Sequence, residues 1–343
     1  MKENISLMIH ITNLFGDIFT DKNITEIVIN KFGEILVEDE NGFRQGSQEE
    51  NNRITECNCN SFTNALAVSS NQQLNETSPI LGATLPTGER VQVVIPPACD
   101  KSQYSITIRK PSSRNFSLNE FKEKGLFEEI KIKSEISDED LQLAKFLDEK
   151  DYINFFKLAV KGGHKNIVIA GATGSGKTTF MKTLIEDIPK DERLLTIEDV
   201  RELIDGIHNN IVNLIYPSDT TSSKSVTPAK LLKACLRMKP DRILLAELRA
   251  GETFDYINAI SSGHGGSITS LHAGTKDEVI RRLTLMFLQN TTGSTLPYDT
   301  AKSIIEETID IIVHIGVINQ KRRITFIYWK DYEKVKGIGE KND

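Results

Sequence analysis

Residues 171–178 of the chain read Gly-Ala-Thr-Gly-Ser-Gly-Lys-Thr, which fills every fixed position of a Walker A phosphate loop. Glycines in this loop let backbone N–H groups approach phosphate oxygens, and the helix that follows adds the positive end of its dipole. Lys177 can reach the β- and γ-phosphates, and the hydroxyl of Thr178 can ligate Mg²⁺. The sequence therefore predicts a site for a nucleoside triphosphate with Mg²⁺. The predicted nucleotide-binding residues are Gly171, Ala172, Thr173, Gly174, Ser175, Gly176, Lys177, Thr178 and Thr179.

Two glutamates follow apolar, strand-like runs downstream of this loop. Residues 194–197 lead to Glu198, and residues 242–246 lead to Glu247. Acids at the carboxyl ends of parallel strands face the same edge of the sheet as the phosphate loop. One of them can hold Mg²⁺ through water, and the other can orient or deprotonate the attacking water. Each could instead cap the helix after its strand, but two such acids behind a Walker loop favour catalysis.

Two histidines bracket a third strand-like run, residues 267–271. His272 follows the run and could hydrogen-bond the γ-phosphate and sense its loss. His264 precedes the run in a glycine-rich segment, where an ordinary loop histidine is a real alternative. A metal site is disfavoured because neither a cysteine nor a third ligand shares the segment.

The pattern of the second half of the chain is helix–strand–helix–strand. The apolar run 167–170 leads into the phosphate loop, a helix leaves it, and the runs 194–197, 243–246 and 267–271 follow. Short apolar strands separated by helices are typical of a parallel sheet. We therefore predict an α/β, RecA-like phosphate-loop ATPase domain over residues 151–343.

The first third of the chain reads as β-hairpins. Residues 24–29 pair with 34–38 across a turn, and residues 81–85 pair with 90–95. Residues 104–110 alternate apolar and polar side chains, which predicts an antiparallel sheet with one face in water. This indicates a smaller α+β domain over residues 1–112.

Helix-capping motifs begin at Ser117 and Ser137, which predicts a helical linker over residues 113–150. Residues 321–323, Lys-Arg-Arg, are expected to form an exposed turn near the C-terminal end. Arg90 and Arg109 fall on the polar faces of their strands, where solvated surface charges are the simplest interpretation.

Composition limits the class of protein. The chain has 343 residues, enough for about two domains. A net charge of −6 does not favour a surface that grips nucleic acid, although a local basic pore stays open. There is no apolar run of about 20 residues, the length needed to span a bilayer. The N-terminal residues lack the pattern of a signal peptide, so we expect a cytoplasmic protein.

The order of these motifs resembles the traffic ATPases of the type II and type IV secretion superfamily. Residues 236–242 and 261–273 are similar to the type IV secretion branch, the VirB-type ATPases. Residues 24–27, 88–91 and 106–111 are similar to the N-terminal domain of that branch. The resemblance covers most of the chain.

This resemblance implies a homohexamer of two stacked rings that hydrolyses ATP with Mg²⁺ between its N- and C-terminal domains. It implies that Arg90 and Arg109 reach the bound phosphates, in place of the solvated role above. Glu198 falls in the family's Asp box as the water-activating base, and Glu247 falls in Walker B on the Mg²⁺ side. His264 and His272 fall in the His box, although Gly265 stands where the family usually has proline.

The resemblance also implies other components of a type IV secretion apparatus as partners, and peripheral contact with the inner face of the cytoplasmic membrane. Direct nucleic-acid binding stays open, as does the cargo. Within the class, a pilus-retraction or type II secretion ATPase is the alternative, but the four-cysteine zinc insertion typical of type II and pilus-extension ATPases is absent from the sequence. Outside the class, the alternatives are a nucleotide-binding scaffold without turnover and a nucleic-acid helicase.

Overall fold

Two β-sheets organise the chain in the computed structural model. The structure describes residues 2–101, 103–111, 116–128, 136–162, 164–203, 206–217 and 226–342. The boundary that the sequence predicts at residues 112 and 113 lies outside these ranges, as do parts of the predicted linker, so the division into domains stays a prediction. Within the described ranges, no helix combines the length and apolar character needed to cross a membrane.

The N-terminal sheet is antiparallel and has six strands in the order β3-β2-β1-β6-β5-β4. Its strands are β1 Glu26–Lys31, β2 Glu34–Asp39, β3 Gly42–Gln45, β4 Ile80–Thr84, β5 Arg90–Val94 and β6 Ser105–Arg109. The helices of this part are α1 Lys2–Phe15, α2 Gln48–Asn52 and α3 Glu56–Ser69, with a 3₁₀ turn at Gly16–Phe19. The hairpins predicted from the sequence are present in this sheet.

One face of the N-terminal sheet packs against α1 and α3. Leu7, Ile11 and Leu14 recur at helical spacing along α1 and are fully buried. Phe15 meets Phe62 of α3 edge to face, with ring centroids 5.3 Å apart. These contacts join the two helices to the sheet in one apolar core.

The centre of the other face of the N-terminal sheet is not in water, and there the sequence prediction is wrong. Ser105 and Thr107 lie on the polar side of β6, yet both are buried. The C-terminal half covers them: the Arg193 guanidinium lies 3.4 Å from the Thr107 hydroxyl. Alternation showed which side chains were polar, but a polar face can be buried against a polar partner.

The C-terminal sheet has seven strands in the order β13-β12-β7-β11-β10-β8-β9. They are β7 Ile167–Ala170, β8 Leu194–Glu198, β9 Ile211–Ile215, β10 Arg242–Leu245, β11 Ile268–Leu271, β12 Ile311–Ile318 and β13 Lys321–Trp329. All neighbouring pairs are parallel except β12 and β13, which form an antiparallel hairpin. The fold is thus α/β with a parallel-rich C-terminal sheet, as predicted.

Helices connect the two sheets and flank the second one. They are α4 Leu118–Glu123, α5 Asp138–Asp148, α6 Tyr152–Lys161, α7 Lys177–Glu186, α8 Pro228–Cys235, α9 Glu252–Ser261, α10 Lys276–Phe287, α11 Tyr298–Thr308 and α12 Tyr332–Asn342. Ser117 and Ser137 cap α4 and α5 as predicted, each accepting a backbone N–H three residues ahead.

Four of the described strands were not predicted from the sequence: β3, β9, β12 and β13. Residues 321–323 are not a turn but begin β13, and the turn before them is Asn319-Gln320, both with positive φ. The error has a physical reason. Three successive cations at an exposed strand start lack the apolar alternation by which strands are recognised.

A buried polar cluster joins the two sheets around Arg193, whose side chain is fully buried. Its Nε donates to the carbonyl of Met238 at 2.7 Å, and its Nη1 donates to Oδ1 of Asn30 in β1 at 2.9 Å. Glu26, also in β1, lies near this cation and is 3 % exposed, and its Oε1 lacks a hydrogen-bond partner among the described residues. Burial raises the pKa of Glu26 to about 7, although Lys239 opposes the shift.

Glu26→Gln should change how the stability of the protein depends on pH. Because the pKa of Glu26 in the fold lies above its ordinary 4.5, the folded protein retains a proton that the unfolded chain releases. The free energy of unfolding therefore falls as pH rises from about 4.5 to about 7. Between pH 5 and 8 the variant should gain up to about 3 kcal/mol relative to the parent, at about 1.4 kcal/mol per pKa unit.

Denaturant unfolding at a series of pH values measures this difference. Glu49→Gln, at an exposed glutamate on α2, is the matched control and should follow the parent. Parallel stability curves for the Glu26 variant and the parent would show that Glu26 does not retain its proton in the fold.

Candidate active site

The phosphate loop connects the end of β7 to the start of α7. Gly174 and Gly176 adopt φ angles of 74° and 101°, a left-handed region that residues with side chains rarely enter. A Cβ atom at Gly171 would collide with the carbonyl oxygen of Ile315 in β12. The glycines therefore let the loop curve tightly around the N-terminus of α7, where backbone N–H groups are free to bind an anion.

Lys177 is the first residue of α7, and its ammonium group lies inside the loop. Nζ donates to the carbonyls of Gly171 at 2.9 Å and Ala172 at 3.0 Å. Burial lowers the pKa of Lys177, and the charge of Glu247 opposes that shift. The hydroxyl of Ser175 is also buried here, and it has no hydrogen-bond partner among the described residues. The loop thus holds a buried cation and an unused buried hydroxyl, both of which suit phosphate oxygens.

A continuous series of charged and polar side chains runs away from Lys177 along the carboxyl ends of the strands. We call Lys177, His272, Glu247, Arg249 and Asp199 the charged row. His272 Nδ1 lies 3.4 Å from Lys177 Nζ, and its Nε2 lies 2.8 Å from Glu247 Oε1. Arg249 then donates to Glu247 and to Asp199, at 2.7 Å in each case. Parallel pairing produces the row, because β8, β10 and β11 end at the same edge of the sheet as the loop.

His272 contacts both the phosphate loop and the acid at the end of β10. In the tautomer with its proton on Nε2, the ring donates to Glu247 and accepts from Lys177 through Nδ1. The carbonyl of Gly171 lies 3.2 Å from the same Nδ1. His272 therefore bridges the phosphate loop and Glu247.

Arg249 and Asp199 were not predicted as site residues. Although burial opposes its charge, hydrogen bonds to Asp199 and Glu247 raise the pKa of Arg249, so it is a permanent cation. The signal in the sequence was that each residue lies within two positions of a predicted acid. Residue type alone did not show which of the adjacent acids, Glu198 or Asp199, would join the row.

Glu198 lies at the end of β8 but does not contact the charged row. Its Oε2 accepts the backbone N–H groups of Glu202 at 2.8 Å and Leu203 at 2.7 Å. Its Oε1 lies 3.3 Å from the hydroxyl of Thr196. Burial raises the pKa of Glu198, while these hydrogen bonds oppose the shift. The carboxylate is therefore held rigidly by its own loop, and Oε1 is the oxygen with fewer hydrogen bonds.

The structure does not bring His264 to the phosphate loop of the same chain. His264 precedes β11, and its carbonyl accepts the Ser267 hydroxyl at 2.9 Å. Since β11 runs parallel to β7, this loop lies at the amino ends of the strands, opposite the phosphate loop.

Arg90 and Arg109 are also distant from the phosphate loop of their own chain. They lie directly opposite each other on β5 and β6, and both are exposed. Arg90 lines a cleft with Arg237, and Arg109 lines another with Lys239. Arg237 and Lys239 precede β10, at the edge of the C-terminal sheet opposite the loop.

The sequence and the fold are similar to those of known secretion proteins. The family model described as "Type II/IV secretion system protein" matches residues 15–320. The type IV secretion system protein VirB11 of Brucella abortus is 43 % identical over 316 residues, covering 91 % of this chain and 86 % of that protein. The chain belongs to the VirB11 family of type IV secretion ATPases.

Two further relatives extend the comparison. The type IV secretion system protein PtlH of Bordetella pertussis is 39 % identical over 317 residues, covering 90 % of this chain and 91 % of that protein. The crystal structure of the Brucella suis VirB11 ATPase in complex with sulphate matches with a TM-score of 0.89 and 39 % identity, covering 99 % of this chain and 98 % of that one. The chain is accordingly an ATPase with the VirB11 fold.

Glu198→Gln separates a catalytic role of this acid from a structural one. The amide oxygen can still accept from Glu202 and Leu203, so the fold should keep its stability. A water-activating base, by contrast, is lost, so ATP turnover should fall about 100-fold or more. A steady-state phosphate-release assay and a thermal melt measure the two properties.

Glu198→Ala is the comparison variant. It leaves the N–H groups of Glu202 and of the buried Leu203 without their acceptor, and it should lower stability by about 1–3 kcal/mol as well as turnover. If the Gln variant hydrolyses ATP at the parent rate, Glu198 only holds its loop and Glu247 is the remaining candidate base.

Proposed function

We propose that this VirB11-family ATPase is a Mg²⁺-dependent ring motor that energises a type IV secretion apparatus. The observation that carries the proposal is the charged row, which begins inside the phosphate loop at Lys177 and ends at Asp199. A non-hydrolysing scaffold needs the loop but has no use for a carboxylate, an imidazole and a guanidinium linked at its open end.

ATP fits the residues of the phosphate loop. The backbone of residues 171–176 supplies the curved cradle, and Ser175 supplies a buried hydroxyl that has no hydrogen-bond partner in the described ranges. Lys177 would exchange its carbonyl acceptors for the β- and γ-phosphate oxygens, a stronger charge-assisted interaction. Thr178 and, through water, Glu247 would hold Mg²⁺, which neutralises charge on the phosphates when bound.

The residues of the charged row have separate roles in this proposal. Glu247 lies where it can position water on the metal side, and Arg249 holds its carboxylate with a 2.7 Å hydrogen bond. Glu198, immobilised by its loop, is the proposed base for the attacking water. His272 reports the loss of the γ-phosphate, because its contact with Lys177 changes when Lys177 loses an anionic partner.

The coupling of hydrolysis to motion is proposed to operate between subunits. Arg90 and Arg109 offer two exposed guanidinium groups side by side, but they lie far from the phosphate loop of their own chain. A head-to-tail ring, which we take to be a hexamer, would let the pair reach the phosphates of a neighbouring subunit. Release of the γ-phosphate would then weaken the contact between neighbours. His264 remains a proposed nucleotide-site residue that would also need a neighbouring subunit.

The names of the relatives support a place in type IV secretion. We propose that the motor contacts other components of such an apparatus at the inner face of the cytoplasmic membrane. Its motion would drive assembly of the apparatus or translocation through it.

Lys177→Ala should abolish turnover while the fold remains intact. Loss of a charge-assisted donor to a phosphate should cost about 100-fold or more in rate. Phosphate release with ATP and Mg²⁺ measures this effect, and a thermal melt checks the fold. Lys190→Ala, at an exposed lysine beyond α7, is the control and should turn over like the parent. Near-parental activity of the Lys177 variant would remove the basis of the proposal.

Mixing two inactive variants tests whether sites are shared between subunits. One variant is Lys177→Ala, and the other carries Arg90→Ala with Arg109→Ala. Mixed rings place an intact loop beside an intact arginine pair, so the mixture should regain turnover that neither variant has alone.

The control mixture combines Lys177→Ala with a triple variant that carries all three changes, and it should stay inactive. If the first mixture is also inactive while size analysis shows mixed rings, the arginines act within their own chain or not at all. A protein that remains monomeric with ATP and Mg²⁺ would contradict the ring itself.

A further inference from the structure

The hairpin of β12 and β13 extends past the phosphate loop. His314 of β12 pairs with Ala170, the last residue of β7, so the two strands reach the loop together. While β7 ends there, β12 continues to Ile318 before the chain turns. The carbonyl of Ile315 borders Gly171, as the clash with an added Cβ shows. The tip of the hairpin therefore flanks the loop.

The pairing register places Arg322 on the side of the hairpin that faces α7. Ile315 lies opposite Ile324 and is buried in the core that contains Met181 of α7. Val317 lies opposite Arg322, two positions along each strand and hence on the same face. Arg323 lies opposite Gly316, on the other face.

Arg322 lies directly against the phosphate loop. From the position that a Cβ atom of Gly176 would occupy, Cδ of Arg322 is 3.1 Å away, Nε is 3.5 Å away and Cζ is 3.9 Å away. Gly176 is the residue that precedes α7, so the guanidinium lies beside the N-terminus of that helix. Arg322 is exposed, and no carboxylate or carbonyl binds its guanidinium within the part of the chain that the structure describes.

This placement gathers positive charge at one point. The N-terminus of α7 carries the positive end of the helix dipole, and Lys177 adds an ammonium group immediately beside it. The guanidinium of Arg322 repels both the helix N-terminus and the Lys177 ammonium group unless an anion lies between them. A surface arginine with only a solubilising role has no reason to lie against a glycine at this helix end.

The sheet order indicates which part of an anion Arg322 would meet. β7 lies between β11 and β12, and the charged row extends on the β11 side. Arg322 approaches from the β12 side. The charged row would serve the γ-phosphate, where hydrolysis occurs, so the opposite flank is left for the α- and β-phosphates.

We propose that Arg322 binds the α- and β-phosphates of the nucleotide and is a nucleotide-binding residue contributed by the C-terminal hairpin. The proposal rests on the proposed binding of ATP at the phosphate loop. It assigns Arg322 to affinity, because it contacts phosphates that ATP and ADP share and lies away from the reacting bond. The guanidinium offers two parallel donors to neighbouring phosphate oxygens, a geometry that lysine cannot reproduce.

Binding of ADP and of a non-hydrolysable ATP analogue, measured calorimetrically at low and moderate salt, tests the assignment. Arg322→Ala should weaken both ligands about tenfold, the low end for a charge-assisted hydrogen bond at an accessible site. Arg322→Lys should recover part of the loss, because the charge remains without the fork. Arg323→Ala is the matched control on the opposite face and should bind like the parent. In turnover, Arg322→Ala should raise KM and leave kcat unchanged.

The other outcomes overturn the assignment. If Arg322→Ala and Arg323→Ala bind ADP and the ATP analogue equally well, Arg322 does not contact the phosphates. A loss for the ATP analogue without a loss for ADP assigns Arg322 to the γ-phosphate and contradicts a contact with the phosphates that both ligands share. If both Arg322 variants bind equally poorly and melt earlier than the parent without nucleotide, the arginine only stabilises the hairpin. If the parent itself fails to bind ADP, the proposed function fails, and that result does not depend on Arg322.

Discussion

The ammonium group of Lys177 is the charge around which the rest of the site is arranged. It is held at the N-terminus of α7 by the carbonyls of Gly171 and Ala172, and burial lowers its pKa. A buried cation beside a positive helix end needs negative charge nearby. Glu247 supplies this negative charge and is linked to Lys177 by His272. Arg249 then neutralises Glu247, and Asp199 in turn neutralises Arg249. Glu247 and Lys177, the proposed metal-side acid and phosphate-binding lysine, are therefore parts of one electrostatic balance, which a bound nucleotide would shift.

The order of the strands explains which parts of this site could be predicted from the sequence. The Walker motif and the acids at strand ends follow local rules, so Lys177, Glu247 and His272 were identified and do lie together. Asp199 was not identified because the exit of the chain from β8 turns Glu198 into its own loop and leaves Asp199 to meet Arg249. β13 was missed because its exposed, cationic start lacks the alternation of a strand. That reason does not apply to β12, which is apolar and buried at its start.

Contacts between the two halves of the chain could not be predicted from local sequence patterns. The polar face of the N-terminal sheet was expected in water, but Arg193 binds Asn30 across the junction and Thr107 is buried beside it. This junction lies at the amino ends of the C-terminal strands, where Lys239 also pairs with Glu38 of β2. Arg90 and Arg109 are held at the same end, away from the phosphate loop of their own chain. Two arginines whose fixed charge suits phosphate are thus presented outward, which favours communication between subunits over communication within one.

The two flanks of the phosphate loop differ in what hydrolysis would change. On the β11 side, His272 contacts both Lys177 and Glu247. In the proposed mechanism, a change in the charge near Lys177 would be transmitted along the row to Arg249. On the β12 side, Arg322 lies against Gly176, next to a part of the nucleotide that keeps its charge after the γ-phosphate leaves. Contacts on the β12 side would stay the same after hydrolysis, so the loop can retain ADP while the charged row on the β11 side rearranges. The residues that would hold the nucleotide therefore differ from those that would respond to the loss of the γ-phosphate. A motor requires this separation if its conformational change is to finish before ADP dissociates.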